Sequence, residues 1–181
     1  MKKLKLSELN RINIKEFKDS EKSPVIIVLD NIRSLHNIGS VFRTADAFRI
    51  EAIYLCGITG TPPNKEIHKT ALGSTESVNW EYFEKTIEAL NVLKEKKYSL
   101  FAVEQAKGST MLDEFILPSN EKLSIIFGNE INGIDEQLLD EVDGCIEIPQ
   151  FGTKHSLNIS VSVGIVVWEI FQKIKLNKKT R

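Results

Sequence analysis

The feature that most narrows what this chain can fold into is an alternation. Short, continuous runs of β-branched and other apolar residues are separated by longer amphipathic stretches. Pro24 to Leu29, Ala52 to Leu55, Ser99 to Val103, Leu123 to Phe127 and Cys145 to Ile148 each read as a buried strand. A strand with one wet face alternates polar and apolar residues; these runs do not, so both of their faces are covered. Between them, Ile38, Val41, Phe42, Ala45 and Phe48 keep helical spacing. Ile87, Leu90, Val92 and Leu93 do so within Glu84 to Lys97, and Ile134, Leu138 and Leu139 do so further on. Strands buried on both faces and separated by helices predict an α/β fold, a parallel sheet flanked by helices.

The stretch Asn158 to Lys175 is rich in strand-favouring residues. It is longer than a typical strand, however, and Ile165, Trp168 and Phe171 share one helical face, so it is expected to be a terminal helix. Residues 57 to 66, with Gly57, Gly60, Pro62 and Pro63, are the clearest loop. Residues 1–23 are more polar and are expected to form a short N-terminal extension with a peripheral helix, leaving 24–181 as one domain. A chain of 181 residues, 41% hydrophobic and 27% charged, can bury a core of its own and is neither disordered nor fibrous in composition. Cys56 and Cys145 stand alone, outside any Cys/His ladder, so a metal site and a disulfide framework are not expected and reduced thiols in a cytoplasmic protein are. No apolar run approaches a bilayer-spanning length, and no apolar segment follows the lysines at positions 2, 3 and 5 to make a secretory signal.

A net charge of −1 argues against coating nucleic acid by bulk attraction. The charge is uneven: Lys173 to Arg181 carries five basic side chains and no acid, and the first 22 residues carry seven against four acids. Basic ends on a neutral body suit local phosphate contacts, and the tail with Lys178, Lys179 and Arg181 is one candidate. Lys65, His68 and Lys69 are another.

The common nucleotide fingerprints are missing. No strand runs into Gly-x-Gly-x-x-Gly, and there is no phosphate-binding Gly-x-x-x-x-Gly-Lys. Polar residues gather instead after three strands. After the first, Asn37 is placed to cap a helix beginning near Ile38, with N–H groups left to face an anion. Arg43 falls off that helix's apolar face. After the fourth strand come Gly128, Glu130 and Gly133, where open α/β sheets bind ligands. After the fifth come Ile148, Pro149 and Gly152, then Ser156, Leu157 and Asn158 at the mouth of the last helix. Caps and turns would account for each group taken alone.

Taken together, Asn37-x-Gly39-x-x-x-Arg43, Gly128-x-Glu130-x-x-Gly133 and Ile148-Pro149-x-x-Gly152 with Ser156-Leu157-Asn158 resemble the three motifs of the SpoU (TrmH-like) RNA ribose methyltransferases of the SPOUT superfamily, in the family's order and across roughly residues 24 to 172. The resemblance implies a C-terminal trefoil knot, S-adenosyl-L-methionine held largely by backbone groups of Gly128, Ile148 and Leu157, and a homodimer whose last helices pack together. It implies transfer of a methyl group to a ribose 2′-hydroxyl. The resemblance also implies a central catalytic role for Arg43, sometimes given as that of the base. Because arginine stays protonated in proteins, anchoring a phosphate suits it better than acting as a base, with Ser156 and Asn158 aligning the hydroxyl. Glu130 and Asn37 would then hold Arg43 and the loops in place. His36, His68 and His155 match no essential family position. Family members acting on ribosomal RNA often carry a separate N-terminal RNA-binding domain. The short extension here and the Ile-Pro-Gln-x-Gly form favour tRNA over rRNA. A knotted RNA-binding protein without catalysis and a base-nitrogen methyltransferase are the remaining alternatives.

Overall fold

The computed structural model describes residues 1–5, 8–119 and 122–180, the last three by backbone alone. Seven strands, β1 (Ser23–Asp30), β2 (Ile50–Cys56), β3 (Asn79–Phe83), β4 (Ser99–Val103), β5 (Thr110–Met111), β6 (Leu123–Phe127) and β7 (Gly144–Glu147), form one sheet in the order β3-β2-β1-β6-β4-β7-β5. Every adjacent pair is parallel. The helices are α1 (Ile14–Asp19), α2 (Leu35–Ala47), α3 (Lys65–Ala71), α4 (Ser74–Ser77), α5 (Thr86–Glu95), α6 (Glu136–Leu139) and α7 (Ile159–Thr180). The expected parallel α/β sheet is therefore present.

Period-two alternation along β1 divides its side chains between two cores. Val25, Ile27 and Leu29 enter a cluster with α2 and α7, while Ile26 and Val28 enter one with Ala89, Leu90 and Leu93 of α5. Helices cover both faces, so the apolar runs need no alternation. Phe17 of α1, 4% exposed, packs into the first cluster, so the peripheral helix is anchored by one aromatic ring.

α7 is helical despite its valines because Ile159, Val163, Val166, Val167, Ile170 and Ile174 fall on one stripe buried in that cluster. It begins at Ile159 and runs beyond the expected end at Lys175. The other boundaries moved for local reasons. Ser34, not Asn37, caps α2: its hydroxyl accepts from Asn37 N at 3.3 Å, and Leu35 extends the apolar face one turn back. Asn37 is thereby inside the first turn. Asn64 caps α3, accepting from Glu66 N at 2.9 Å, which ends the expected loop two residues early. β7 ends at Glu147, so Ile148 lies just past it rather than inside it. β3 had no apolar signal because it is an edge strand, exposed over residues 79 to 82. β5 is only two residues long.

α2 and α3 approach closely at Gly39, where a Cβ would lie 2.1 Å from Thr70 Oγ1 and 2.2 Å from Ile67 O. Only hydrogen fits, so this glycine sets the spacing of the two helices. Among the described residues, no helix is long and apolar enough to cross a membrane, and no His/Cys/Asp/Glu group is placed to hold a metal. The tail side chains of Lys178, Lys179 and Arg181 lie outside the described residues.

Candidate functional site

The carboxyl ends of β4, β6 and β7 open into a cleft of about 750 Å³. Its walls are Glu104 and Gln105 after β4, Gly128 to Ile134 after β6, Ile148 and Gln150 after β7, and His155 to Ile159 leading into α7. Ligands gather at such strand ends because the loops there are free of the ladder and can turn their backbone groups inward. All three expected cofactor positions, Gly128, Ile148 and Leu157, line this cleft, as do Glu130, Ser156 and Asn158.

The loop after β6 is a tight hairpin. Asn129 N donates to Gly133 O at 3.1 Å and Gly133 N to Asn129 O at 2.9 Å. The Asn129 carboxamide accepts from Ile131 N at 2.9 Å and Asn132 N at 3.2 Å, and donates to Asn31 O at 2.7 Å. Gly133 turns the chain at φ +67°. A Cβ on Gly128 would sit 2.4 Å from Gly133 C and 2.6 Å from Gly133 O, so backbone occupies the space a side chain would need. Glu104 supports the hairpin from below, its Oε2 accepting from Ile134 N at 3.2 Å. Gln105 Nε2 donates to His155 O at 3.0 Å and ties the opposite wall to β4.

Glu130 leaves this hairpin for α2. Its Oε2 accepts from Arg33 N at 3.1 Å, and its Oε1 accepts from Ser34 N at 3.1 Å and Asn37 Nδ2 at 3.5 Å. The anion expected at the start of α2 is thus supplied by the protein itself. Partial burial works to raise the Glu130 pKa, but the donors from Arg33, Ser34, its own backbone and Asn37 together outweigh it and hold the carboxyl below the usual range. An ionised carboxylate only accepts, so Asn37 must turn its amide nitrogen to Glu130 and its oxygen outward. Asn158 Nδ2 donates to that Asn37 Oδ1 at 3.2 Å, and Asn158 Oδ1 caps α7, accepting from Ser160 N at 2.9 Å and Ser160 Oγ at 2.6 Å. One polar chain therefore joins Glu130, Asn37 and Asn158, one residue from each of the three sequence groups.

Arg43 is not part of it. It is exposed and lines a separate cavity of about 790 Å³ with Arg11, Arg49, Asp46 and Gly73. Six residues along α2 put it about 120° around and about 9 Å along the helix from Asn37. Among the described residues no hydrogen bond or ion pair joins it to Glu130 or Asn37, so the expectation that these two hold Arg43 is corrected: they hold each other, the start of α2 and Asn158. Ser156 and Leu157 are exposed at the cleft, and nothing among the described residues hydrogen-bonds either one. His36 pairs with Glu66 at 3.0 Å, His68 is exposed, and His155 contributes its carbonyl to Gln105.

Asn129, Glu104 and Asp30 escaped the sequence reading. Glu104 carries the same signal as Glu130, an acid just past a strand end. Asp30, 3% exposed, ends β1; burial pushes its carboxyl up, against hydrogen bonds from Thr86 and Asn31. Nothing in the sequence distinguished Asp30 from a turn residue.

A profile of the SpoU rRNA methylase family matches residues 24–168. A TrmH family tRNA/rRNA methyltransferase of Staphylococcus aureus (strain MSSA476) is 28% identical over 163 residues, covering 88% of this chain and 63% of the relative. The chain thus spans under two thirds of the length of that relative. A 23S rRNA (guanosine-2′-O-)-methyltransferase of Neisseria meningitidis serogroup B is 28% identical over 172 residues, 94% of this chain and 68% of the relative. The AdoMet-bound rRNA methyltransferase of Sinorhizobium meliloti superposes with a TM-score of 0.78 at 26% identity, over 86% of this chain and 59% of the other.

Proposed function

The chain belongs to the SpoU rRNA methylase family, and on that footing we propose that it methylates an RNA ribose 2′-hydroxyl with S-adenosyl-L-methionine, as a homodimer, with tRNA the favoured substrate. The observation that carries the reading is the Glu130–Asn37–Asn158 chain, which brings residues of all three motifs to the mouth of one strand-end cleft.

The cleft suits the cofactor. Its volume of about 750 Å³ lies within the range of small-molecule sites. Gly128 brings bare backbone to its wall, and Ile148 and Leu157 complete the set of positions that the family resemblance assigns to backbone binding. When bound, S-adenosyl-L-methionine supplies an electrophilic sulfonium methyl. Ser156 and Asn158 stand at the same mouth and align the ribose hydroxyl for attack. Asn158 can do so because Asn37 and the α7 cap fix its amide. The lowered pKa of Glu130 makes it a weak base, so its part is to set Asn37 rather than to take the proton. Arg43 anchors an RNA phosphate; its place in a separate cavity fits a site completed by a second subunit. The second copy packs on the exposed face of α7, where Val161, Ile165 and Trp168 are 49%, 38% and 50% exposed. The C-terminal knot belongs to the same reading.

The Ile148-Pro149-Gln150 form supports tRNA, whereas the Neisseria relative is named for ribosomal RNA. The test is transfer of labelled methyl from S-adenosyl-L-methionine to separated tRNA and rRNA, followed by mapping of nuclease-resistant linkages. Labelled tRNA with a nuclease-resistant linkage is expected. Label on a base, or no binding of S-adenosyl-L-methionine by calorimetry, would overturn the reaction.

A further inference from the structure

On the far side of α2 from the cofactor cleft lies a third cavity, of about 560 Å³, walled by Pro62, Pro63, Ile67 and Trp80. We propose that it receives an unstacked nucleobase of the same RNA, stacked on Trp80, with the adjoining phosphate on Lys65. The proposal rests on RNA being the substrate.

Trp80 is the anomaly that points here. It sits on edge strand β3, in a run exposed from 79 to 82, and keeps 37% of its surface in solvent. A tryptophan adds little to a core from such a place, but it offers a flat face to a ligand. Tyr82 lies two residues on, on the same face of the strand. Its hydroxyl donates to Gly57 O at 2.9 Å, anchoring the start of the loop that carries the two prolines opposite Trp80.

The polar groups at the lip are arranged for a nucleotide. Lys69 is matched by Glu66 at 2.7 Å, whereas Lys65 has no ion-pair partner among the described residues. Lys65 makes one side of the lip cationic, with His68 beside it. Thr75 and Glu76 line the other, where they can accept from an exocyclic amino group. Stacking with a few edge contacts and a cation for the backbone is how proteins hold single-stranded bases.

The location joins this cavity to the proposed reaction. Adjacent residues in the first turn of α2 reach to opposite sides: Asn37 accepts from Asn158 of the cofactor cleft, and His36 Nε2 meets Glu66 Oε2 of α3, the neighbour of Lys65, at 3.0 Å. The Lys65 lip follows β2 at the carboxyl edge of the sheet, and from there the cavity runs back along α3 to Trp80 near the amino end of β3, so one strand of RNA crossing the start of α2 reaches the cleft on one side and this lip on the other.

The test is fluorescence anisotropy with a labelled single-stranded oligoribonucleotide of mixed sequence, at several salt concentrations, beside calorimetry with S-adenosyl-L-methionine on the same proteins. Trp80→Ala should weaken RNA binding about tenfold or more, and Trp80→Phe, which keeps a ring, should lose much less. Lys65→Ala should flatten the slope of log affinity against log salt by about 0.7, one phosphate contact on a single strand. Cofactor affinity should stay constant throughout, and the wild-type KM for RNA should rise in Trp80→Ala with kcat kept. Wild-type affinity in Trp80→Ala, or equal losses in the Ala and Phe variants, would overturn the stacking site. RNA binding that depends on Trp80 in a protein that transfers no methyl group would support this cavity and overturn the proposed reaction instead.

Discussion

Asn158 Nδ2 donates to the side-chain Oδ1 of Asn37 at 3.2 Å across 121 positions of sequence. The direction of that bond is set from its far end. Glu130 can only accept, Asn37 must therefore donate to it, and Asn158 is left to donate to Asn37 and to cap α7 with its oxygen. Asn158→Asp keeps the cap but has no donor for Asn37. The variant should keep its melting temperature within a few degrees while methyl transfer falls by up to about a hundredfold. A Tm loss as large as that of Asn158→Ala, which also removes the cap at about 1 kcal/mol, would show the two roles to be inseparable.

Glu130 makes stability depend on acid. Its folded-state pKa is depressed, so its contribution is present above the ordinary carboxylate value of 4.5 and is lost as the pH falls through the lower folded value. Thermal melts of wild type and Glu130→Gln across that window should converge as the pH drops. At neutral pH the variant should be less stable by no more than about 1 kcal/mol, since Glu130 is exposed and solvent screens its charge. A constant gap at every pH would remove Glu130 as the titrating group.

Gly128 in the cleft wall and Gly152 in the loop before α7 should answer alanine differently. At Gly128 the new methyl meets backbone at 2.4 Å, which cannot yield, so the hairpin must open at a cost of about 2 kcal/mol or more and cofactor binding should be lost. At Gly152 no atom lies within 4 Å, and the change in stability should stay within about 0.5 kcal/mol. Chemical denaturation with calorimetry on S-adenosyl-L-methionine measures both.

Arg43 is exposed, so Arg43→Ala should leave the fold intact and abolish methyl transfer. Arg43→Lys should fail as well, since lysine lacks the planar fork. If a second subunit completes the site, mixing Arg43→Ala with Asn158→Ala protein and allowing subunits to exchange should restore a fraction of the activity. Persistent inactivity in proven mixed dimers would place Arg43 and Asn158 in the same subunit's site.

Trp168 packs edge-on to Phe48 with ring centroids 5.8 Å apart yet remains 50% exposed. Trp168→Glu should convert a dimer into a monomer in light scattering at micromolar concentration. A single-chain mass for the wild type would refute the dimer.

Sequence by itself determined the class of fold, because short apolar runs without alternation, separated by helix-length amphipathic stretches, suit strands covered on both sides, and those of β1, β2, β4 and β6 proved to be such strands. Length and the shared face of Ile165, Trp168 and Phe171 likewise gave α7 as a helix, although the stripe that the fold buries is another one, from Ile159 to Ile174. That a polar group follows each of three strands was legible, a local property, although caps and turns would account for each group taken alone. Strand order was not legible, since β6 sits between β1 and β4 by virtue of long-range pairing that leaves no periodic mark. β3 was lost for a related reason, an edge strand needing only one neighbour and no core face. Which of Ser34 and Asn37 capped α2 depended on where the backbone turned helical, and that followed from packing Leu35 on the core. The company each site residue keeps was likewise tertiary: the carboxylate of Glu130 chose the N–H groups before α2 and the amide of Asn37 over the guanidinium of Arg43, because the fold puts the first set within hydrogen-bond reach and turns the arginine toward another face of the same helix.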